Sequence, residues 1–210
     1  MRLSIVSVLA PMMLSAMALG DKMLAQTRPG AVVSQAENGA ISTEERATIK
    51  AQADELLQWG IEQYRVSQFR EALGTWQTAL KLYKEIGDRV GEVSALGNLG
   101  NAYLRLGQYQ QAINLYEQVL TNMQDIDSRV GEGLVLGNLG TVYLNLSQYQ
   151  RAIGLYEQQL VITREIGDKD GEGTALGNLG NAYLSLGQYQ QAIQLIDQSL
   201  EIDQNVGNKI

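Results

Sequence analysis

The chain has 210 residues, with 16 Lys and Arg against 23 Asp and Glu, a net charge of −7 and no basic cluster, which argues against a nucleic-acid backbone as ligand. Cysteine and histidine are both absent, so thiolate nucleophiles, imidazole bases, the usual zinc sites and disulfides are excluded. Stability has to come from packing alone.

Taken in chain order, Arg2 is followed by an apolar run from Leu3 to Leu19 and then small residues. That is the layout of a secretory signal peptide over residues 1–20, with cleavage after Ala18 or Gly20; an uncleaved N-terminal anchor is the other reading. The expected location is the bacterial envelope, periplasmic or secreted, with no membrane contact after signal removal. Residues 21–41 hold Pro29-Gly30 and Gly39 without helical periodicity, and read as a flexible linker. Order is expected from residue 42, where Ser42 and Glu45 fit a capping box that opens a helix from Thr43 to about Val66.

Beyond that helix the sequence repeats. Leu96 to Ile113 returns as Leu176 to Ile193 with only Arg105 replaced, by Ser185, and a looser copy runs from Leu136 to Ile153, so the period is 40 residues. A period of tens of residues marks a solenoid, divided here into units 51–90, 91–130, 131–170 and 171–210. Each unit holds two helices. In the second, Leu96, Leu99, Gly100, Tyr103 and Leu106 share one helix face, Gly107 breaks the pattern, and Tyr109, Ala112, Ile113, Tyr116, Val119, Leu120 and Met123 stripe a helix ending near Ile126. Glycine in mid-helix costs about 1 kcal/mol relative to alanine. Gly100, Gly140 and Gly180 are therefore expected to pair with Ala112, Ala152 and Ala192 for close helix approach, leaving Tyr103, Tyr143, Tyr183, Tyr116 and Tyr156 to fill the spaces between units.

The pattern Leu-Gly-x-x-Tyr, then Gly-x-Tyr, Ala and an aromatic four residues on, carried by Leu99, Gly100, Tyr103, Gly107, Tyr109, Ala112 and Tyr116, resembles the tetratricopeptide repeat. The period exceeds that family's usual ~34 residues. Together with Gly87-Asp88-Arg89 and Gly91-Glu92 at the joint, it resembles the longer-helix subclass seen in kinesin light chains, Leu-Gly-Asn repeat proteins and many bacterial arrays. Unit one departs, with Trp59 for the leucine and Gln63 for the tyrosine.

The resemblance implies an all-α, right-handed α-solenoid of four tandem helix-turn-helix units. It further implies a non-catalytic scaffold without cofactor or metal, whose first helices line a concave groove for a peptide segment of a partner protein. Carried over by position, that face comprises Ser94, Gly97, Asn101, Leu104 and Arg105; Leu134, Gly137, Thr141, Leu144 and Asn145; and Thr174, Gly177, Asn181, Leu184 and Ser185. Asn101 and Asn181 are expected to bond a peptide main chain, with the glycines leaving it room. On the alternative reading, the chain is the recognition portion of a larger exported enzyme, since similar arrays precede caspase-like protease domains; that chemistry needs Cys and His and cannot reside in these residues. The Leu-Gly-Asn-Leu-Gly-Asn run lacks the following Gly-Lys-Ser/Thr of a phosphate loop. The joint carboxylates Asp88, Glu92, Glu132, Asp168 and Glu172 read as solvated charges or helix-start pairing. The last helix, with no polar helix after it, is expected to support self-association.

Overall fold

The structure is a computed structural model that describes residues 41–207, so the expected signal peptide and nearly all of the expected linker lie outside the described residues. Eight helices follow one another: α1 (Thr43–Arg65), α2 (Phe69–Ile86), α3 (Arg89–Arg105), α4 (Tyr109–Asp125), α5 (Arg129–Asn145), α6 (Tyr149–Ile166), α7 (Lys169–Ser185) and α8 (Tyr189–Gly207). Among the described residues no strand occurs. Each helix packs on its neighbours in sequence, giving an α-solenoid of four helix-turn-helix units. The first helices of successive units also touch, α1 to α3, α3 to α5 and α5 to α7, whereas among the described residues no comparable contact joins successive second helices. The stack is therefore tighter on its first-helix side, which becomes the inner face.

The first helix of each unit starts at a side-chain cap, whereas α2, α4 and α6 start without one. Ser42 and Glu45 form the expected capping box: the Glu45 amide donates to Ser42 Oγ at 3.2 Å and the Ser42 amide to Glu45 Oε2 at 3.0 Å. At the joints, Asp88, Ser128 and Asp168 accept from the amides of Gly91, Gly131 and Gly171 at 3.0, 3.3 and 2.9 Å, each satisfying an orphan donor of the helix it opens. The helix ends share one device, a single left-handed residue. Gly87, Gly107, Gly167 and Gly187 hold this place in four of the turns, while Ser67, Asp127 and Ser147 hold it in the other three with φ of 63°, 53° and 58°. At Gly107 the Gln108 amide reaches Tyr103 O and the Gly107 amide reaches Leu104 O, at 2.9 and 3.0 Å, which closes the helix as a Schellman turn.

The core corrects one expectation. An alanine Cβ at Gly100 would lie 2.7 Å from Tyr116 Cε1, and at Gly140 2.5 Å from Tyr156 Cε1; the aromatic ring, and not Ala112 or Ala152, occupies the space that the glycine leaves. At Gly180 the nearest atom is Ile196 Cγ1 at 2.6 Å, with the Ala192 carbonyl oxygen further off at 3.3 Å. Tyr116 and Tyr156 are fully buried, each contributing on the order of 2 kcal/mol; besides filling the space cleared in their own units they share clusters with Val135, Leu139 and Val142 of α5 and with Leu179 and Ala182 of α7, so they also fill the joints as expected. A flat ring needs more cleared surface than a methyl group, and only glycine clears it. Gly60 and Trp76 make the same pair in unit one, where a Cβ would lie 2.3 Å from the indole Nε1. The departures there are local: Trp59 is exposed, and Gln63 is buried, its Oε1 accepting from Thr75 Oγ1 at 2.7 Å. Tyr143 and Tyr183 do pack across joints, in clusters that span α4 to α5 and α6 to α7.

Candidate partner-binding face

The inner face is built from one stripe per first helix, at steps of three and four residues. On it Ser94, Arg105, Leu134, Asn145, Thr174, Asn181, Leu184 and Ser185 are exposed, while Gly97, Asn101, Leu104, Thr141, Leu144 and Gly177 are half-buried. Gly137 is buried, which corrects its expected role. The Gln159 side-chain amide fills the space beside it, with Nε2 only 2.7 Å from where a Cβ would stand, so no ligand chain can approach there. Gly97 does leave open space, with nothing within 4 Å of an added Cβ, and at Gly177 the nearest atom is Ser199 Oγ at 3.3 Å. The residue opposite on the second helix differs at each glycine, and Gln159 is the one long enough to fill the space at Gly137.

The two asparagines are not equivalent. The Tyr116 hydroxyl donates to Asn101 Oδ1 at 2.6 Å, so the Asn101 carbonyl is committed to the core and only its Nδ2 protons remain for a ligand. Burial pushes the Tyr116 phenol well above its ordinary value, which keeps it protonated and donating. In the third unit Thr141 takes the same place, 3.1 Å from the Tyr156 hydroxyl. In the fourth, Ile196 replaces the tyrosine, and Asn181 is exposed with no side-chain hydrogen bond among the described residues.

Other polar groups on the face fold back on their own helices. Ser94 donates to Val90 O at 2.9 Å, Thr174 to Asp170 O at 2.9 Å, Ser185 to Asn181 O at 2.9 Å and Asn145 Nδ2 to Thr141 O at 2.8 Å. Their oxygens stay free to accept from a partner's N–H groups, while Asn101 Nδ2, Asn181 Nδ2 and Arg105 remain as donors. Arg105 lies over the Phe69 ring, 5.4 Å from its centroid, and meets no carboxylate among the described residues.

The stripe extends further than the sequence reading took it. Val90 and Val130, one helical turn before Ser94 and Leu134, are exposed on the same face. A repeat boundary at 90 or 130 separates them from the helices to which they belong, which begin at Arg89 and Arg129.

The joint charges do structural work. Asp88 accepts from the Gly91 amide and from Lys50 Nζ at 2.9 Å, and these two hold its carboxyl below the usual range. Glu172 is held low by Lys169 at 2.7 Å and Arg164 at 2.8 Å. Arg129 bridges Glu132 and Glu165. Among the described residues no group of three or more Asp and Glu could hold a metal ion, and no helix is long and apolar enough to cross a membrane.

A family model described as "Tetratricopeptide repeat" matches residues 56–125 and 132–205, more than half of the chain. A search of the curated proteins finds no match. Among solved structures, BtubC (BKLC) from P. vanneervenii is 21% identical with a TM-score of 0.67, covering 74% of this chain and 64% of its own. A Rap protein complexed with Competence and Sporulation Factor is 14% identical with a TM-score of 0.67, covering 78% of this chain and 48% of its own. A kinesin light chain with nearly identical TPR-like repeats from Podosopora anserina is 18% identical with a TM-score of 0.63, covering 92% of this chain and 85% of its own. The chain thus spans less than two thirds of the BtubC and Rap chains, and at these identities the likeness shows the fold alone. With two helices every 40 residues, each pair keyed by a glycine opposite a large side chain, and this match over most of its length, the chain belongs to the tetratricopeptide repeat family.

Proposed function

We propose that this protein-interaction scaffold binds an extended peptide segment of another protein across the inner face of α3, α5 and α7. The observation that carries the reading is Asn181: an exposed amide with both hydrogen-bonding ends uncommitted, in line with the spare Nδ2 of Asn101 and the open space at Gly97. The Rap protein whose fold is similar was solved with a bound factor, which supports a binding role for such stacks. No catalytic role is assigned to any residue. A photo-crosslinker placed at Asn181 is expected to label partner protein, and one at Gln118 on the outer surface of α4 is not; equal labelling from both would overturn the groove.

Two further parts of the reading rest on the sequence and on exposure. Export to a bacterial envelope rests on residues 1–20 alone, and N-terminal sequencing of the native protein tests it, an intact Met1 counting against cleavage. Self-association through α8 rests on Ile193, 54% exposed where its counterparts Ile113 and Ile153 are covered by the next unit. Light scattering at high micromolar concentration is expected to show a species larger than the monomer that Ile193→Asp abolishes; a strict monomer overturns it.

A further inference from the structure

The first turns of the inner helices carry an unexplained apolar patch. Val90, Val130 and Leu134 are 77%, 58% and 62% exposed, although they share helices with a fully buried core. Steps of four and seven residues place Val90 with Ser94 and Gly97, and Val130 with Leu134, on the stripe that faces inwards. Because α3, α5 and α7 begin at Arg89, Arg129 and Lys169, their second residues Val90, Val130 and Asp170 hold the same position in three neighbouring helices. The open space beside Gly97 adjoins this patch on α3.

The charge beside the patch is negative. Asp170 is exposed and enters no ion pair among the described residues, while the nearby Glu172 is already held by Lys169 and Arg164 and Asp168 by the Gly171 amide. On the other flank Asp54 of α1 is half-exposed and accepts from Lys50 at 3.1 Å, and Lys50 is shared with Asp88. Arg129 and Lys169, next to Val130 and Asp170, are paired with Glu132, Glu165 and Glu172, and at Arg89, next to Val90, one residue's turn of about 100° directs the side chain away from the direction Val90 takes. An aliphatic strip that ends at a free carboxylate complements a ligand that is aliphatic first and cationic next.

We propose that the first turns of α3, α5 and α7 form a specificity seat for a partner segment bearing branched aliphatic side chains followed by a lysine or arginine. Val90, Val130 and Leu134 receive the aliphatic groups and Asp170 receives the cation. The inference rests on the peptide-groove reading and narrows its partner. Packed helices lie about 8–10 Å apart. An extended chain advances about 3.3 Å per residue, so the segment that crosses the helices carries its aliphatic and basic residues about three apart.

The test is a random dodecapeptide display library panned against the full chain, in parallel with Asp170→Asn, Asp170→Lys and Leu134→Ser, each checked for folding by circular dichroism. Wild type is expected to enrich peptides with aliphatic residues and a basic residue about three positions on. Asp170→Asn loses the basic preference, Asp170→Lys weakens a selected basic peptide at least ~10-fold and turns the preference acidic, and Leu134→Ser loses the aliphatic one. Enriched peptides without those preferences, or preferences unchanged in the Asp170 variants, overturn the seat and leave the groove standing. No enrichment at all overturns both.

Discussion

Replacing Gly100 by alanine is expected to destabilise the stack, whereas the same change at Gly97, three residues earlier on α3, is expected to stabilise it. In a helix interior alanine is favoured over glycine by about 1 kcal/mol, so both variants gain that much from the backbone. At Gly97 nothing lies within 4 Å of the added Cβ, and the gain is kept. At Gly100 the Cβ would stand 2.7 Å from Tyr116 Cε1 and 3.0 Å from two further ring atoms. The ring cannot swing aside, because it is fully buried and its hydroxyl is tied to Asn101 at 2.6 Å. Overpacking of this kind costs about 1–3 kcal/mol, and displacing the phenol sacrifices part of a hydrogen bond worth about 1 kcal/mol. The net loss is about 1–3 kcal/mol. Thermal melts followed by circular dichroism should then fall by ~2–12 °C for Gly100→Ala and rise by ~2–4 °C for Gly97→Ala, at the ~2–4 °C per kcal/mol of a domain this size. A Gly100→Ala protein that melts at or above wild type would refute the ring-on-glycine account of the core.

Asp127→Gly and Ser147→Gly are each expected to add about 1 kcal/mol in urea unfolding, because both residues hold a left-handed backbone (φ 53° and 58°) that Gly167 and Gly187 adopt without strain. Asn101→Ala should cost about 1–3 kcal/mol by leaving the buried Tyr116 hydroxyl unpartnered, and Tyr116→Phe/Asn101→Ala should cost little more than the single change, as a double-mutant cycle will show. Asp88 and Glu172 have carboxyls lowered in the folded state, so their contribution is complete above the unfolded carboxylate range near pH ~4 and is lost as pH falls through the folded values. Glu172→Gln is accordingly expected to melt lower than wild type at pH 7 and to converge with it in acid, measured as melting temperature against pH.

The start of α1 and the end of α3 were legible because local chemistry marks them: Ser42 with Glu45, and the left-handed Gly107, act within one helical turn, whereas Ser67, Asp127 and Ser147 hold the same left-handed place with residue types that do not announce it. What each glycine faces was less legible. A mid-helix glycine announces a close neighbour without saying which, and small opposite small looked sufficient, yet the spacing from Gly60 to Trp76, Gly100 to Tyr116, Gly140 to Tyr156 and Gly180 to Ile196 is constant. That constancy was the available signal. Gly137 was misjudged because its space is set by Gln159 on the other helix, and Gln159 differs from Val119 and Ser199 at the same repeat position. Ion pairs such as Lys50 with Asp88, 38 residues apart, depend on the stacking itself and leave no trace in the local pattern.

The division between constant and varied positions connects the packing to the face it exposes. Gly100, Gly140 and Gly180, Leu99, Leu139 and Leu179, and Ala112, Ala152 and Ala192 are identical across units and buried. On the inner stripe the same comparison gives Val90, Val130 and Asp170; Ser94, Leu134 and Thr174; Asn101, Thr141 and Asn181; and Arg105, Asn145 and Ser185. The two near-identical copies, Leu96 to Ile113 and Leu176 to Ile193, differ only at Arg105 and Ser185, which are exposed on that stripe. The glycine stays while the side chain that fills its space varies as Trp76, Tyr116, Tyr156 or Ile196, because any of these large groups needs the cleared surface that a Cβ would take. On the inner stripe Asn101 and Thr141 are tied to the tyrosine hydroxyls behind them, whereas Val90, Leu134 and Asn181 are exposed and each differs from a counterpart in another unit, so the variation among otherwise repeated units falls mainly on this exposed surface, the one proposed to meet a partner.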